Sequence, residues 1–165
     1  MTLARVEAAA AARGLAVLGA FEPGPEDGAP KGCRALVLLG PDGDRFWPVF
    51  RTSAEAQDGD VDPLDRWSAR VIGAMGETFG AEALFPFEGP PYALFTAWAL
   101  RSGRAWQSPV GMLVHAQFGL SVSFRGALAL EENLETTPPA TKPCEYCERT
   151  CLTACPVGAL GAEGY

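Results

Sequence analysis

Cysteine placement is the tightest constraint on this 165-residue chain. Four of its five cysteines, Cys144, Cys147, Cys151 and Cys155, share one C-terminal run spaced C-x2-C-x3-C-x3-C, and Pro156 follows the last. A compact run can wrap several soft sulfur donors around one centre, and such donors select thiophilic metals. Four thiolates is the usual complement of an iron–sulfur cluster, and the bacterial run C-x2-C-x2-C-x3-C-P differs only by one residue in the middle gap. Small residues after the proline, Gly158 and Ala159, leave room for backbone amides to approach sulfur. The run therefore predicts a 4Fe–4S site on Cys144, Cys147 and Cys151, with Cys155 ligating the same cluster or a second one. Two other readings stand beside it. One is a structural zinc site, which normally draws two short Cys pairs from separated segments. The other is free or disulfide-paired thiols.

In two-cluster ferredoxins the fourth Cys of such a run serves the other cluster, so a second run is expected downstream. Only PVGALGAEGY follows Cys155. Three arrangements satisfy this. The favoured expectation is that the chain is interrupted after its first run. The others are that Cys155 closes the same cluster, or that Cys33 supplies a thiolate across the fold. Cys33 stands at the head of an apolar run and also reads as a small buried hydrophobe.

Composition narrows the function classes. The net charge of −7 argues against nucleic acid, which requires Lys and Arg to neutralise phosphate. It suits a soluble chain that meets a basic redox partner protein. No apolar run is long enough to span a bilayer. The N-terminus imitates a signal peptide, but Glu7 and Arg13 interrupt it and Met1–Leu3 carries no basic cluster. The thiols are then expected in a reducing cytoplasm.

Residues 3–13 read as an Ala-rich helix and Leu15–Phe21 as a buried strand. The Pro- and Gly-rich stretch 22–32 reads as a loop. ALVLL (Ala35–Leu39) reads as a strand buried on both faces. Asp62 and Pro63 mark the cap and first turn of a helix. Its apolar face is Leu64, Trp67, Val71, Met75 and Phe79, and Gly80 ends it. ALFPF (83–87) suggests a strand, and a second helix is expected from Pro91 to Gly103. The runs 110–115 and 120–124 read as the two arms of a β-hairpin. These elements predict an α+β fold: a layered mixed sheet of four or five strands with flanking helices. The body covers residues 1–130, a polar Pro-rich linker 131–143, and a ferredoxin-like segment 144–165.

This order of elements, the stretch FEGPPYALFTAWALRSGRAW…GMLVHAQFG, and the linker into the Cys run resemble the epoxyqueuosine reductase family. They also resemble small bacterial ferredoxin-like proteins that share its body. The resemblance implies a cobalamin-binding body, related to the nitroreductase-like flavin fold, joined to a ferredoxin module. Gly89 and Pro90 match a Gly-Pro of that family's active-site loop. Trp106, Met112, Leu113, Val114, His115 and Gly119 match its Trp, apolar strand, His and hairpin Gly. The family's catalytic Asp is replaced by Phe87, and its Gly-Lys-Asn loop by Ser108-Pro109-Val110. The resemblance thus implies a redox protein with a 4Fe–4S cluster and a cobalamin or flavin in the body. Glu88 and His115 remain as candidate proton donors if the chain is an oxidoreductase.

Other residues carry two readings each. His115, the only histidine, is a polar group facing a cofactor or a satisfied core residue. Arg101, Arg104 and Arg125 can cradle an anion or sit solvated at element ends. Phe46, Trp47, Phe50, Tyr92, Phe95 and Trp98 can line a pocket or pack a core. Asp42, Asp44, Asp58, Asp60 and Asp62 lack the spacing of a Ca²⁺ loop and read as solvated turns.

Overall fold

A strand that is apolar at every position has to be covered on both sides, and Ala35–Pro41 is such a strand, with its first six residues buried. The computed structural model, which describes residues 1–136 and 139–161, shows how it is covered. Helices are α1 (Leu3–Ala11), α2 (Phe46–Phe50), α3 (Ala54–Gln57), α4 (Pro63–Phe79) and α5 (Phe95–Arg101). Strands are β1 (Leu15–Phe21), β2 (Ala35–Pro41), β3 (Glu82–Leu84), β4 (Ala105–Gln107), β5 (Leu113–His115) and β6 (Gly126–Leu130). A four-stranded sheet runs in the order β1-β2-β6-β3, and β4 and β5 form a separate two-stranded ribbon. The fold is mixed α+β.

Alternation along the strands sorts the side chains into two cores. Val37, Leu39, Leu128 and Leu130 face one way. They pack under Val6 and Ala10 of α1, Phe46 and Phe50 of α2, and Trp67, Ile72 and Met75 of α4. Leu36, Leu38, Ala127 and Ala129 face the other way, against Phe95, Trp98 and Ala99 of α5 and Ala105 of the ribbon. Trp67 receives the rings of Phe46 and Phe50 edge-on. These phenylalanines, read from sequence as a possible pocket lining, are core, while Trp47 beside them is largely exposed.

The sheet corrects the expectation of mixed strand directions. Every described pairing is antiparallel. The order strand, helix α4, strand imitates a parallel crossover unit. β2 and β3 do run in the same direction, but β6 is inserted between them and pairs with both. β6 was not expected from the sequence, because Gly126-Ala-Leu-Ala-Leu lacks β-branched or aromatic residues. Small residues are required there: a Cβ on Gly126 would stand 2.8 Å from Ile72 Cδ1 and 3.1 Å from the Leu84 carbonyl oxygen.

The hairpin expectation is also corrected. β5 pairs back onto β4, with His115 opposite Ala105, rather than forward onto residues 120–124. Pro109 and Gly111 (φ +82°) build the reversal, closed by Ser108 N–H to the Met112 carbonyl at 2.8 Å. Val122 and Phe124 alternate because they cover the α5-side core, without forming a ladder. Helix α5 begins at Phe95 rather than near Pro91, with Leu94 at its cap position in a non-helical conformation (φ −85°, ψ 49°). Helix α4 fits its expected bounds, with Gly80 left-handed at the end. Asp62 sits at the cap position, but its own left-handed backbone leaves its side chain without a capping bond.

Ion pairs fasten the periphery. Glu55 of α3 meets Arg70 of α4, whose hydrogen bonds hold the Glu55 carboxyl down to about 2. Within the expected linker, Leu134 is buried in the α4-side core and Ala140 N–H bonds to the Gly103 carbonyl at 3.0 Å. Linker residues 137 and 138, and residues 162–165 of the expected ferredoxin-like segment, lie outside the described residues.

Two glycines test this packing in opposite directions. A Cβ on Gly40 of β2 would overlap the Ser123 carbonyl oxygen and Leu18 Cδ1, so Gly40→Ala should cost about 2–3 kcal/mol. Gly73 of α4 has open space around it, so Gly73→Ala should stabilise by about 0.5–1 kcal/mol. Urea unfolding of both variants measures each value.

Candidate functional site

The cysteine run lies on two short 3-10 turns, Pro143–Glu145 and Thr150–Leu152. All five thiols are free, and Cys147 is exposed. Backbone amides aim at two of the sulfurs. Arg149, left-handed at φ +56°, donates its N–H to Cys147 Sγ at 3.3 Å. Ala159 N–H reaches Cys155 Sγ at the same distance. The amides of Val157, Ala159, Leu160 and Gly158 lower the Cys155 thiol from its ordinary value by favouring the thiolate. Among the described residues no three His, Cys, Asp or Glu side chains are grouped closely enough to hold a metal ion. In its donor chemistry the run nevertheless fits an iron–sulfur centre, with thiolates for ligands and amide donors to sulfur. Cys33 is a different kind of thiol. It donates to the Ala35 carbonyl at 3.3 Å, packs against the α5-side core, and burial raises it. That is the behaviour of a small core residue rather than a thiolate ligand.

A cavity of about 610 Å³ opens between the β3 edge and α5. Glu82 and Leu84 point into it from the same face of β3, as a two-residue alternation requires. Trp98 and Phe85 lie at its base, and the 88–94 loop supplies Glu88, Gly89, Pro91, Tyr92 and Leu94. Glu88 is therefore placed at a cavity, whereas His115 does not line it. Glu82 was missed in the sequence, although its spacing from Leu84 was the available signal. No Lys, Arg or His lines the cavity among the described residues. A flavin or corrinoid carrying a phosphate would meet two carboxylates and no cation there. This one lining therefore offers such a phosphate no counter-charge.

The arginines are engaged elsewhere. Arg125 bonds Ser68 Oγ at 3.0 Å, pairs with Asp65, and lies 5.6 Å from the Phe87 ring centre, so it ties the start of β6 to α4. Arg101 contacts Asp27 at 3.3 Å and Glu26 at 3.8 Å. Asp27 is itself buried, accepting Gly24 N–H at 2.7 Å and, through its carbonyl, the Trp98 indole N–H at 2.6 Å. Two of the three arginines are thus occupied by carboxylates rather than gathered around an anion. Asp58 grips Arg66 through two 2.8 Å bonds, and Asp42 lies 3.5 Å from Arg45, as solvated turn residues do.

His115 is buried to 1% exposure, and every ring nitrogen has a partner. Its position follows from a defect in β1. The register slips between Val17 and Gly19, leaving Leu18 without a ladder partner on β2. Nε2 stands 2.8 Å from the Leu18 carbonyl, while Nδ1 accepts Gln117 N–H at 3.1 Å and Phe118 N–H at 3.3 Å. Because Nδ1 accepts, Nε2 carries the proton and the ring is neutral. The imidazole satisfies a bulge carbonyl and a turn.

No protein-family model matches the chain, and neither the curated proteins nor the solved structures contain one similar to it. The site is therefore judged on its own geometry, and His115 offers a direct check. Burial lowers its pKa in the folded state, with Arg104 adding to the shift. The unfolded chain takes up the proton first, near about 6.5, so stability is full above that value and falls as pH drops below it. Since this is the only histidine, one imidazole NMR signal should report the Nε2–H tautomer and no titration near about 6.5. His115→Ala should lose about 2–4 kcal/mol at neutral pH. Urea unfolding at neutral and mildly acidic pH should show a decline in the parent that the variant lacks.

Proposed function

We propose that this protein is an iron–sulfur electron carrier, in which Cys144, Cys147, Cys151 and Cys155 hold a 4Fe–4S cluster. The observation that carries this reading is the C-x2-C-x3-C-x3-C-P run with amides already directed at the Cys147 and Cys155 sulfurs. Four free thiols within twelve positions form the donor set. When bound, the cluster supplies a one-electron couple. The chain's contribution is thiolate charge, N–H donors to sulfur and partial exposure, each of which tunes the potential. Amides bonded to sulfur favour the more negative, reduced state, so Arg149 and Ala159 act to raise it.

Electron exchange needs a partner that comes close to the run. Tyr146, next to Cys147, is 85% exposed, and Val157, two residues after Cys155, is 83% exposed, so each leaves apolar area for a partner to cover. The net charge of −7 favours a basic redox protein as that partner. A reducing compartment such as the cytoplasm keeps the thiols available. No helix among the described residues is long and apolar enough to cross a membrane.

Elemental analysis of anaerobically purified protein tests the assignment. About four irons and four sulfides per chain are expected, with broad visible absorption that bleaches on reduction. Cys147→Ser and Cys151→Ser should each abolish or destabilise that absorption, while Cys33→Ala should leave it intact. Bound zinc with neither iron nor sulfide would overturn the proposal.

A further inference from the structure

The β4–β5 ribbon shares no backbone ladder with the four-stranded sheet. Among the described residues one hydrogen bond joins the two, between His115 Nε2 and the Leu18 carbonyl at 2.8 Å. The rest of the attachment is apolar, with Ala105 and Leu113 packed into the α5-side core. The same imidazole holds the 116–119 turn. Nδ1 accepts the Gln117 and Phe118 N–H groups, and the Phe118 ring centre lies 5.4 Å from that of His115. This turn is the outer cover of a buried ring, since Gln117 is exposed and Phe118 half-buried. His115 thus joins the bulge of β1, the end of β5 and the turn after it, and every junction uses the neutral Nε2–H form.

A second proton has no place in this arrangement. Protonated at Nδ1, the ring would aim a donor at two N–H donors and bury a cation. β1, the ribbon and the 116–119 turn contain no Asp or Glu to neutralise it. The charged group that acts on the ring is Arg104, just before β4, and its sign is the same. Burial and Arg104 therefore oppose charge on the imidazole, against the Leu18 carbonyl, which favours it.

We infer that His115 is an acid-released latch: uptake of a proton frees the 116–119 turn and the adjoining end of the ribbon from β1, while the four-stranded sheet stays folded. The opening is local because neither the ladders of that sheet nor the α4-side core passes through His115. The open form takes its proton at the ordinary imidazole value, near about 6.5, and the closed form excludes it. Opening is therefore rare above that value and grows about tenfold per pH unit below it. The latch does not depend on what the thiols hold.

Amide hydrogen exchange of the intact chain, followed by NMR between about pH 5 and pH 7, tests it. Protection of the Ala116, Gln117, Phe118 and Gly119 amides should fall about tenfold per pH unit below about 6.5. At each pH it should stay at least roughly tenfold below that of the β2 amides 36–39, which open only with the whole molecule. In His115→Gln, which keeps a side-chain N–H without titrating, the pH dependence of the four turn amides should disappear. Equal protection in turn and sheet would make the opening global and overturn the inference. So would turn protection that ignores pH in the parent, or a pH dependence that survives the substitution. Should the variant fail to fold, the parent's imidazole signal decides. A ring that becomes charged only as Gln117 and Phe118 lose protection upholds the latch, and a charged ring beside protected amides overturns it.

Discussion

Burial of β2 on both faces is the constraint from which the rest of the structure follows. Residues 35–40 leave no solvent face, so one layer of helices must cover Val37 and Leu39 and another must cover Leu36 and Leu38. Layer one is α1, α2 and α4, held to the strands by the Trp67 cluster. Layer two is thinner: α5, the β4–β5 ribbon and the irregular 120–124 stretch. The bulge at Leu18 belongs to the same problem. It lets β1 change which residues face each layer, Leu15 and Val17 on the α4 side before it and Ala20 after it. The carbonyl it leaves unpaired is satisfied by His115 from the second layer.

The thinness of that second layer explains the cavity. Helix α5 has only seven residues, and the stretch before it, with consecutive prolines, stays a loop. The β3 edge is therefore not fully covered, and Glu82 and Leu84 open onto space rather than onto a helix. The cysteine run lies apart from both cores, exposed or half-buried throughout. Soft sulfur donors thus occupy the C-terminal run, and a carboxylate-rimmed hollow the body.

Where the sequence was legible, the signal was a strong local period or a strong punctuator. Helix α4 was readable because Trp67, Val71 and Met75 recur on one face between Pro63 and Gly80. β2 was readable because nothing polar interrupts it. β6 was not, because small residues chosen to clear Ile72 and the Leu84 carbonyl carry no strand preference. The β4–β5 pairing was missed because alternation marks a strand's faces and says nothing of its partner. At the sites, the thiol spacing was visible in one line of sequence. Glu82 and Glu88 were distinguishable from other surface acids only once β3 and the 88–94 loop were seen to share a cavity.

By itself the sequence determined the local and the chemical: which segments are helix or buried strand, and that four thiols at C-x2-C-x3-C-x3-C spacing favour a thiophilic centre. Tertiary structure alone decided the insertion of β6 between β2 and β3, the capture of the Leu18 carbonyl by His115, and the meeting of two carboxylates with Trp98. The physical reason is range. Helix periodicity, turn residues and ligand spacing act over a few residues. Strand order and cavity walls are set by which distant surfaces can be buried together, as with Leu18 and His115, 97 residues apart.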